Sequence, residues 1–537
     1  MINACSHRDL LYQLGSRSLT KLLTLQDRNP HSPTYGCFDR NFWHFKITDF
    51  PSGMAQEFVL PLALAYVDDF PGNRFFGNKT IRECVHAGIA YAALSAHADG
   101  SCDDYYPFEK AAGAAAFSLY AALSAISLAE LDFAEFAEFL KRRGKWLANH
   151  RESGRLSNHE ALITNNLFRL ASLSGESSFL EMARSRLARL LGWQTSEGWF
   201  YEYQGCDPGY MTMTIANLAE IDEMHPSLGL REPIRRAVRF LLDLQPPDGW
   251  LGGEWTCRNT NNYFPHGLEL CGSWSTDALA LNDRALEALR AAPEYDDDHI
   301  LAHHAWSYLL AARRWQKMRP EPIGLIPEND RVHFPEAGYL KIRRGSLCLL
   351  VSLKKGGSFR LYDSGRLVYS DTGLSLLVKE RSKVVNYVCH LWSENNEITF
   401  IDNGVTVAGS MGRAKASQMT PVKNVLLRAF MLTLGRLNPD LVRRLLQRLL
   451  ITDNSMGPFV FTRSLRLDPT WVEVIDRISG KGDVVAAGVG PAQTSIYTVM
   501  SRVFHYPQLQ PWEDFTHLLQ RDGDNGVTLT RRFRYPA

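Results

Sequence analysis

Two stretches of this 537-residue chain nearly repeat each other: "LLGWQTSEGWFYEY", residues 190–203, and "LLDLQPPDGWLGGEW", residues 241–255. Gln194, Gly198 and Trp199 return 51 residues later as Gln245, Gly249 and Trp250. Glycine-bearing loops at Gly53, Gly100, Gly154, Gly198 and Gly249 follow at intervals of 47, 54, 44 and 51 residues. Such a period fits one helical hairpin per unit. Stretches such as "EKAAGAAAFSLYAALSAISLAELDFAEF" and "REPIRRAVRFLLDLQ" have helical spacing and strong helix formers. About six hairpins therefore fill residues 1–316. They can stack as an open solenoid or close into an (α/α) toroid. The loops are long, aromatic and polar, as loops converging on one cleft would be, so the toroid is expected.

The pattern changes at residues 317–335, where a proline-rich segment reads as a linker. From 336 to 537, short β-rich runs are split by Gly345, Gly356-Gly357, Ser364-Gly365 and Thr372-Gly373. An antiparallel β-sandwich is expected there. A basic, amphipathic helical insert interrupts it at about 421–451. It suits either a helix pair covering a sheet face or a helix for a membrane surface or partner.

The balance of 59 basic and 58 acidic residues excludes a general electrostatic grip on nucleic acid. Nine scattered cysteines without a CxxC argue against a disulfide framework or structural zinc. No membrane span and no signal-peptide h-region is evident, so a cytoplasmic protein is expected.

In "RLSNHEALITNNLFRLASLSGE", residues 155–176, Ser157 and Glu160 have capping-box spacing. This places Asn158 and His159 in the first turn of a helix ending near Gly175. Free N–H groups and the positive dipole end favour an anion there. The same field should keep His159 neutral. The pair reads either as residues tolerated near a cap or as an anion site. Tyr210 follows "DPG" at the start of a helix one hairpin on, as a packing aromatic or a general acid.

These features together resemble the heparinase II/III-like, alginate-lyase-like polysaccharide lyases. The resemblance covers most of the chain: helical toroid, proline linker, the sandwich opening "HFPEAGYLKIRRG" and the helical insert. It implies that Asn158 and His159 line the cleft, that Tyr210 is the catalytic acid/base, and that the reaction is β-elimination at a uronic acid. An acidic polysaccharide or oligosaccharide is then the partner, and no cofactor is implied. The family's sandwich His-x-His-x-Asp run is missing from "LKKGGSFRLYDSGRLVYSDTG", which puts a sandwich zinc in doubt. His266 in "CRNTNNYFPHGLEL" is the candidate second histidine.

Arg40, Trp43, Lys46 and Gln56 are candidate substrate contacts, with stacking rings and cations suited to acidic sugars. Glu202 and Arg258 are further candidates in the cleft loops. Trp199 and Trp250 read as sugar platforms or as repeat-defining core. His299, His303 and His304 have a spacing usable for metal, but no third ligand is evident. Two rival functions remain. One is a toroidal glycoside hydrolase with a carboxylate pair drawn from Glu202, Asp207, Glu254 and Glu269. The other is a non-catalytic glycan-binding protein of polysaccharide biosynthesis.

Overall fold

The computed structural model describes residues 6–152, 154–291, 294, 297–321, 329–414, 418–439, 441–442, 445, 455–491, 503–518 and 526–534. Its amino-terminal part contains helices α1 (His7–Ser16), α2 (Leu19–Leu25), α3 (Arg40–Trp43), α4 (Val59–Val67), α5 (Lys79–Leu94), α6 (Ala112–Leu128) and α7 (Phe133–Asn149). It continues with α8 (Ser157–Ser174), α9 (Ser177–Leu191), α10 (Pro208–Met224), α11 (Arg231–Leu244), α12 (His266–Cys271), α13 (Thr276–Ala291) and α14 (Ala302–Arg313). A small ribbon, β1 (Tyr201–Glu202) and β2 (Gly205–Cys206), joins α9 to α10.

Helices α4, α6, α8, α10, α12 and α14 pack in that order, and α14 returns to α4. The ring is closed. Each inner helix is backed by an outer one: α5, α7, α9, α11, α13 and, for α14, the first helix α1. Inner helices α6 and α10 are buried along nearly their whole length, whereas outer α11 buries only one stripe. This is the toroid expected from the repeat.

The repeated Gln-x-x-x-Gly-Trp has a physical cause. Gln194 Nε2 donates to the carbonyls of Gly198 and Pro233, each at 2.8 Å. Gln245 Nε2 does the same to Gly249 (2.7 Å) and Leu281 (3.2 Å). Each glutamine closes its own loop and ties it to the next outer helix. Gly198 and Gly249 have φ of +101° and +87° and lie against the Arg236 and Arg284 carbonyls, where a side chain would clash. Gly53 does not belong to this series; its φ is −71°, and Gly36 seats on α5 instead.

The carboxy-terminal part is a sandwich of two antiparallel sheets. The first runs in chain order through β3 (Asn329–Phe334), β4 (Tyr339–Arg344), β5 (Leu347–Ser352), β6 (Ser358–Asp363) and β7 (Arg366–Asp371). The second comprises β8 (Leu374–Glu380), β9 (Lys383–Val388), β10 (Glu397–Ile401), β11 (Gly404–Arg413), β12 (Met456–Asp468), β13 (Trp471–Ser479), β14 (Asp483–Val489), β15 (Glu513–Asp514) and β16 (Val527–Arg534). Its order is β15-β14-β8-β9-β11-β12-β13-β16, with β10 also on β11. Strand β3 thus begins inside the segment read as linker, of which residues 322–328 lie outside the described residues. In the insert, α15 (Pro421–Leu432) is described, while residues 440, 443–444 and 446–451 lie outside the description.

The first sheet is a middle layer. Leu340, Ile342, Leu349 and Leu361 face Leu376, Val405, Phe461 and Val474 of the second sheet. The alternate residues Tyr339, Cys348, Leu350 and Tyr362 join the toroid core. Both faces being covered explains why every residue of β5 is buried.

Within the sandwich, Arg463 pairs with Asp371 (2.9 Å) and Asp476 (2.6 Å), and Arg531 pairs with the same two carboxylates (2.7 and 2.8 Å). All four residues are buried. Asp371 comes from one sheet and the other three from the other, so the charges balance across the sheet interface. The described cysteines are buried free thiols. No described helix is long and apolar enough to cross a membrane.

Candidate active site

The inner helices run parallel. Gly113 at the start of α6 abuts the His159 ring at the start of α8, and Asn165 of α8 donates to Asn217 of α10 at 2.9 Å. Glu57, just before α4, lies 3.4 Å from His303 at the start of α14. One end of the ring therefore collects helix amino termini, with unsatisfied N–H groups and positive dipole ends facing one opening.

Leu156, not Ser157, is the cap residue of α8, and the expected capping box does not form. The Ser157 hydroxyl donates instead to Glu202 Oε1 (2.8 Å), and Glu160 is held by Arg186 and Arg189. Glu202 replaces the missing cap. Its Oε1 also accepts from the Asn158 backbone N–H and Nδ2, both at 2.8 Å. Its Oε2 accepts from Arg258 Nη1 at 3.2 Å. Glu202 is buried and organises the site from within, which corrects its expected role as a substrate contact. Asn158 commits one amide N–H to Glu202, and its buried Oδ1 has no partner.

His159 Nδ1 lies 2.8 Å from Glu152 Oε2. Burial opposes the imidazolium, yet Glu152, through charge and hydrogen bond, carries its pKa above the usual 6.5. The expected downward push on the His159 pKa is corrected: the shift runs upward. The helix field is real, but a carboxylate in direct contact outweighs it.

Tyr210 is the third residue of α10. Its N–H donates to the helix cap Asp207 (3.0 Å), which also accepts from the Thr260 hydroxyl (2.7 Å). The Arg258 guanidinium stacks on the Tyr210 ring, 4.3 Å from its centre, and reaches Tyr203 at 5.0 Å. Burial pushes the Tyr210 hydroxyl up to about 12, against the pull of Arg258 and with a push from Asp207 and Glu202. The phenol is protonated at neutral pH and can donate. Burial also works against the Arg258 charge, but Tyr210, Tyr203, Glu202 and Asp207 raise its pKa.

His266 does not join this group. It opens α12 facing Ser307 (Nδ1 to Oγ, 2.7 Å) and Trp306, and burial pushes its pKa down to about 4. Its charged neighbours are Glu220 and Arg169, deeper in the ring. His303 stands nearer. Phe117 lies 4.1 Å from the His303 ring and 6.3 Å from that of His159, while Phe264 lies 5.4 Å from His303 and 6.4 Å from Tyr210. The sequence offered a signal for His303: it occupies the start of an inner helix, as Asn158 and Tyr210 do. Glu152 had none of its own: the Gly154 loop was marked by its glycine, not by this carboxylate.

Trp199 and Trp250 are buried, with indole N–H groups bound to Glu197 (2.9 Å) and Asn261 (2.8 Å). Their reading as sugar platforms is corrected; they are core. Trp43 is half-buried and donates to the Leu25 carbonyl (2.8 Å), and Gln56 is buried and donates to that of Ser52 (3.1 Å). Arg40 lies over Phe45, 5.1 Å from the ring centre, and Lys46 is exposed. The four hydrolase carboxylates are occupied internally: Glu202 and Asp207 as above, Glu254 by Arg360 (2.5 and 3.1 Å), and Glu269 by Arg319 (2.9 Å). Among the described residues no three His, Cys, Asp or Glu side chains gather to hold a metal ion.

The sandwich holds the site loops. Lys355 Nζ donates to the carbonyls of Glu254 (2.5 Å) and Thr256 (2.9 Å) and to Asn259. Arg360 also donates to the Gly252 carbonyl (3.0 Å), and the Tyr339 hydroxyl to that of Cys206 (2.7 Å). These contacts bracket Arg258 and Asp207.

No protein-family model and no curated protein matches the chain. Among solved structures it is similar to the Streptomyces coelicolor A3 chondroitin AC lyase in complex with chondroitin sulphate. The identity is 11%, over 90% of this chain and 68% of that one, with a TM-score of 0.55. A heparan sulfate lyase mutant from Pedobacter heparinus aligns at 12% identity over 90% and 70% of the two chains, with a TM-score of 0.40. The first likeness shows a shared toroid-plus-sandwich fold.

Proposed function

We propose that the chain is a polysaccharide lyase that cleaves a uronic-acid-containing glycan by β-elimination. The observation that carries this is the stacked Tyr210–Arg258 pair, tied through Glu202 to Asn158 and set beside His159 at the amino ends of the inner helices. The fold shared with a chondroitin AC lyase supports it. So does the internal pairing of the buried carboxylates, which leaves no free acid pair for hydrolysis among the four residues weighed.

In this reading Arg258, the His159 imidazolium and the second Asn158 N–H receive the uronate carboxylate. Their charge acidifies the C5 proton by stabilising the enolate that forms. His303, backed by Glu57, takes up that proton. The released electron pair forms the C4–C5 double bond and the C4–O bond breaks. Tyr210 gives its proton to the leaving oxygen.

The test is a screen of uronate polymers and oligosaccharides in labelled water. Ultraviolet-absorbing, unsaturated products without solvent oxygen are expected, and His303→Asn should suppress them. Labelled oxygen at the new end would assign a hydrolase. Saturable binding without products across the screen would assign a glycan-binding protein.

A further inference from the structure

Helix α15 wears its apolar stripe on the outside. Val422, Val425 and Leu426 are 68%, 66% and 63% exposed, and Ala429 continues the row at helical spacing, while Met431 faces inward and is buried. Leu434 and Leu437 extend the exposed apolar surface beyond the helix. Arg428 pairs with Asp49, which joins α15 to the rim segment where Phe45 and Ile47 are also exposed. An isolated exposed leucine is ordinary, but a continuous stripe on an ordered helix marks a docking face.

Charge indicates what docks. From 403 to 450 the sequence holds eight basic residues, Arg413, Lys415, Lys423, Arg428, Arg436, Arg443, Arg444 and Arg448, against one acidic residue, Asp440. The whole chain carries only +1, so this excess is local. Lys423 and Arg436 are exposed beside the stripe. A second copy of the chain would bring two such basic segments together across a twofold axis, with like charges opposed. We infer that α15 and the adjoining segment form a peripheral binding surface for an anionic lipid bilayer, with the apolar stripe entering the headgroup boundary and Lys423 and Arg436 meeting the headgroups.

The experiment is flotation of the full chain with vesicles of phosphatidylcholine, alone or mixed with phosphatidylglycerol. It needs no glycan, so its outcome is independent of the lyase reading. Association with the anionic vesicles, weakened by salt, is expected. Lys423→Ala and Arg436→Ala should each lower partitioning by about fivefold. Val425→Glu with Leu426→Glu, at exposed positions, should abolish it while circular dichroism stays unchanged. Absence of flotation, or flotation insensitive to these substitutions, overturns the inference. So does a dimer in light scattering that Leu426→Glu dissociates, because the face would then belong to a second copy.

Discussion

Arg258 bridges two functional groups of the site: its guanidinium stacks on the ring of Tyr210 at 4.3 Å and donates to Glu202 at 3.2 Å. The Tyr210 phenol and the cation beside it are thus held as one unit, with Glu202 fixing the unit to Asn158.

Tyr210→Phe keeps the ring and its stacking but removes the proton. Turnover on a cleaved glycan should fall by roughly 10²–10⁴-fold, with the melting temperature little changed. Near-normal turnover would remove Tyr210 from the mechanism, and loss of the fold would reduce it to a packing residue.

Glu152 sets the protonation of His159. The folded pKa lies above the unfolded value, so the pair's stabilisation is complete below about 6.5 and fades as pH rises through the folded value. If the imidazolium holds substrate, kcat/KM should decline along an alkaline limb. Glu152→Gln removes the largest raising influence and should move that limb to lower pH. A limb that stays in place under Glu152→Gln would detach His159 from carboxylate binding.

The fold was legible because its causes repeat. Gln194 and Gln245 make the same two bonds, and each loop they close carries a positive-φ glycine against the next outer helix and a buried tryptophan. The site was legible only in part. Asn158 and Tyr210 stand at helix starts, which local sequence marks, and the structure brings them together through Glu202 and Arg258. The charge of His159 depends on Glu152, a loop residue seven positions earlier, and helix-end electrostatics alone gave the wrong sign. His266 and His303 both begin inner helices. Only packing separates them: α12 starts deeper, with Gly267 seated against Ala216 in the middle of α10.

Lys355 tests whether the sandwich positions the site. Its ammonium, pushed down to about 8 by burial, holds the loop on either side of Arg258. Lys355→Met fills similar space without donors. It should lower kcat more than it raises KM, although Lys355 belongs to the other layer. Unchanged kinetics in a folded variant would make the strap purely structural.

Asp476→Asn tests the buried charge cluster. It leaves Arg463 and Arg531 sharing the one buried carboxylate Asp371, with only the half-exposed Glu513, 3.9 Å from Arg531, besides. A loss of about 3–5 kcal/mol is expected from chemical denaturation. A cost under about 1 kcal/mol would mean that water or rearrangement reaches the cluster.

The partnership of α14 with α1 and α4 has a kinetic consequence. Hairpins within the ring join neighbours in sequence and can form locally, but α14 shuts the ring on α4 and is backed by α1, which precedes it by nearly 300 residues. Such closure has a high contact order and is slow. Helix α14 carries His303, so the cleft is completed only when the earliest helices meet the last one of the ring. A partly assembled ring would have its hairpins in place and still lack that wall of the site.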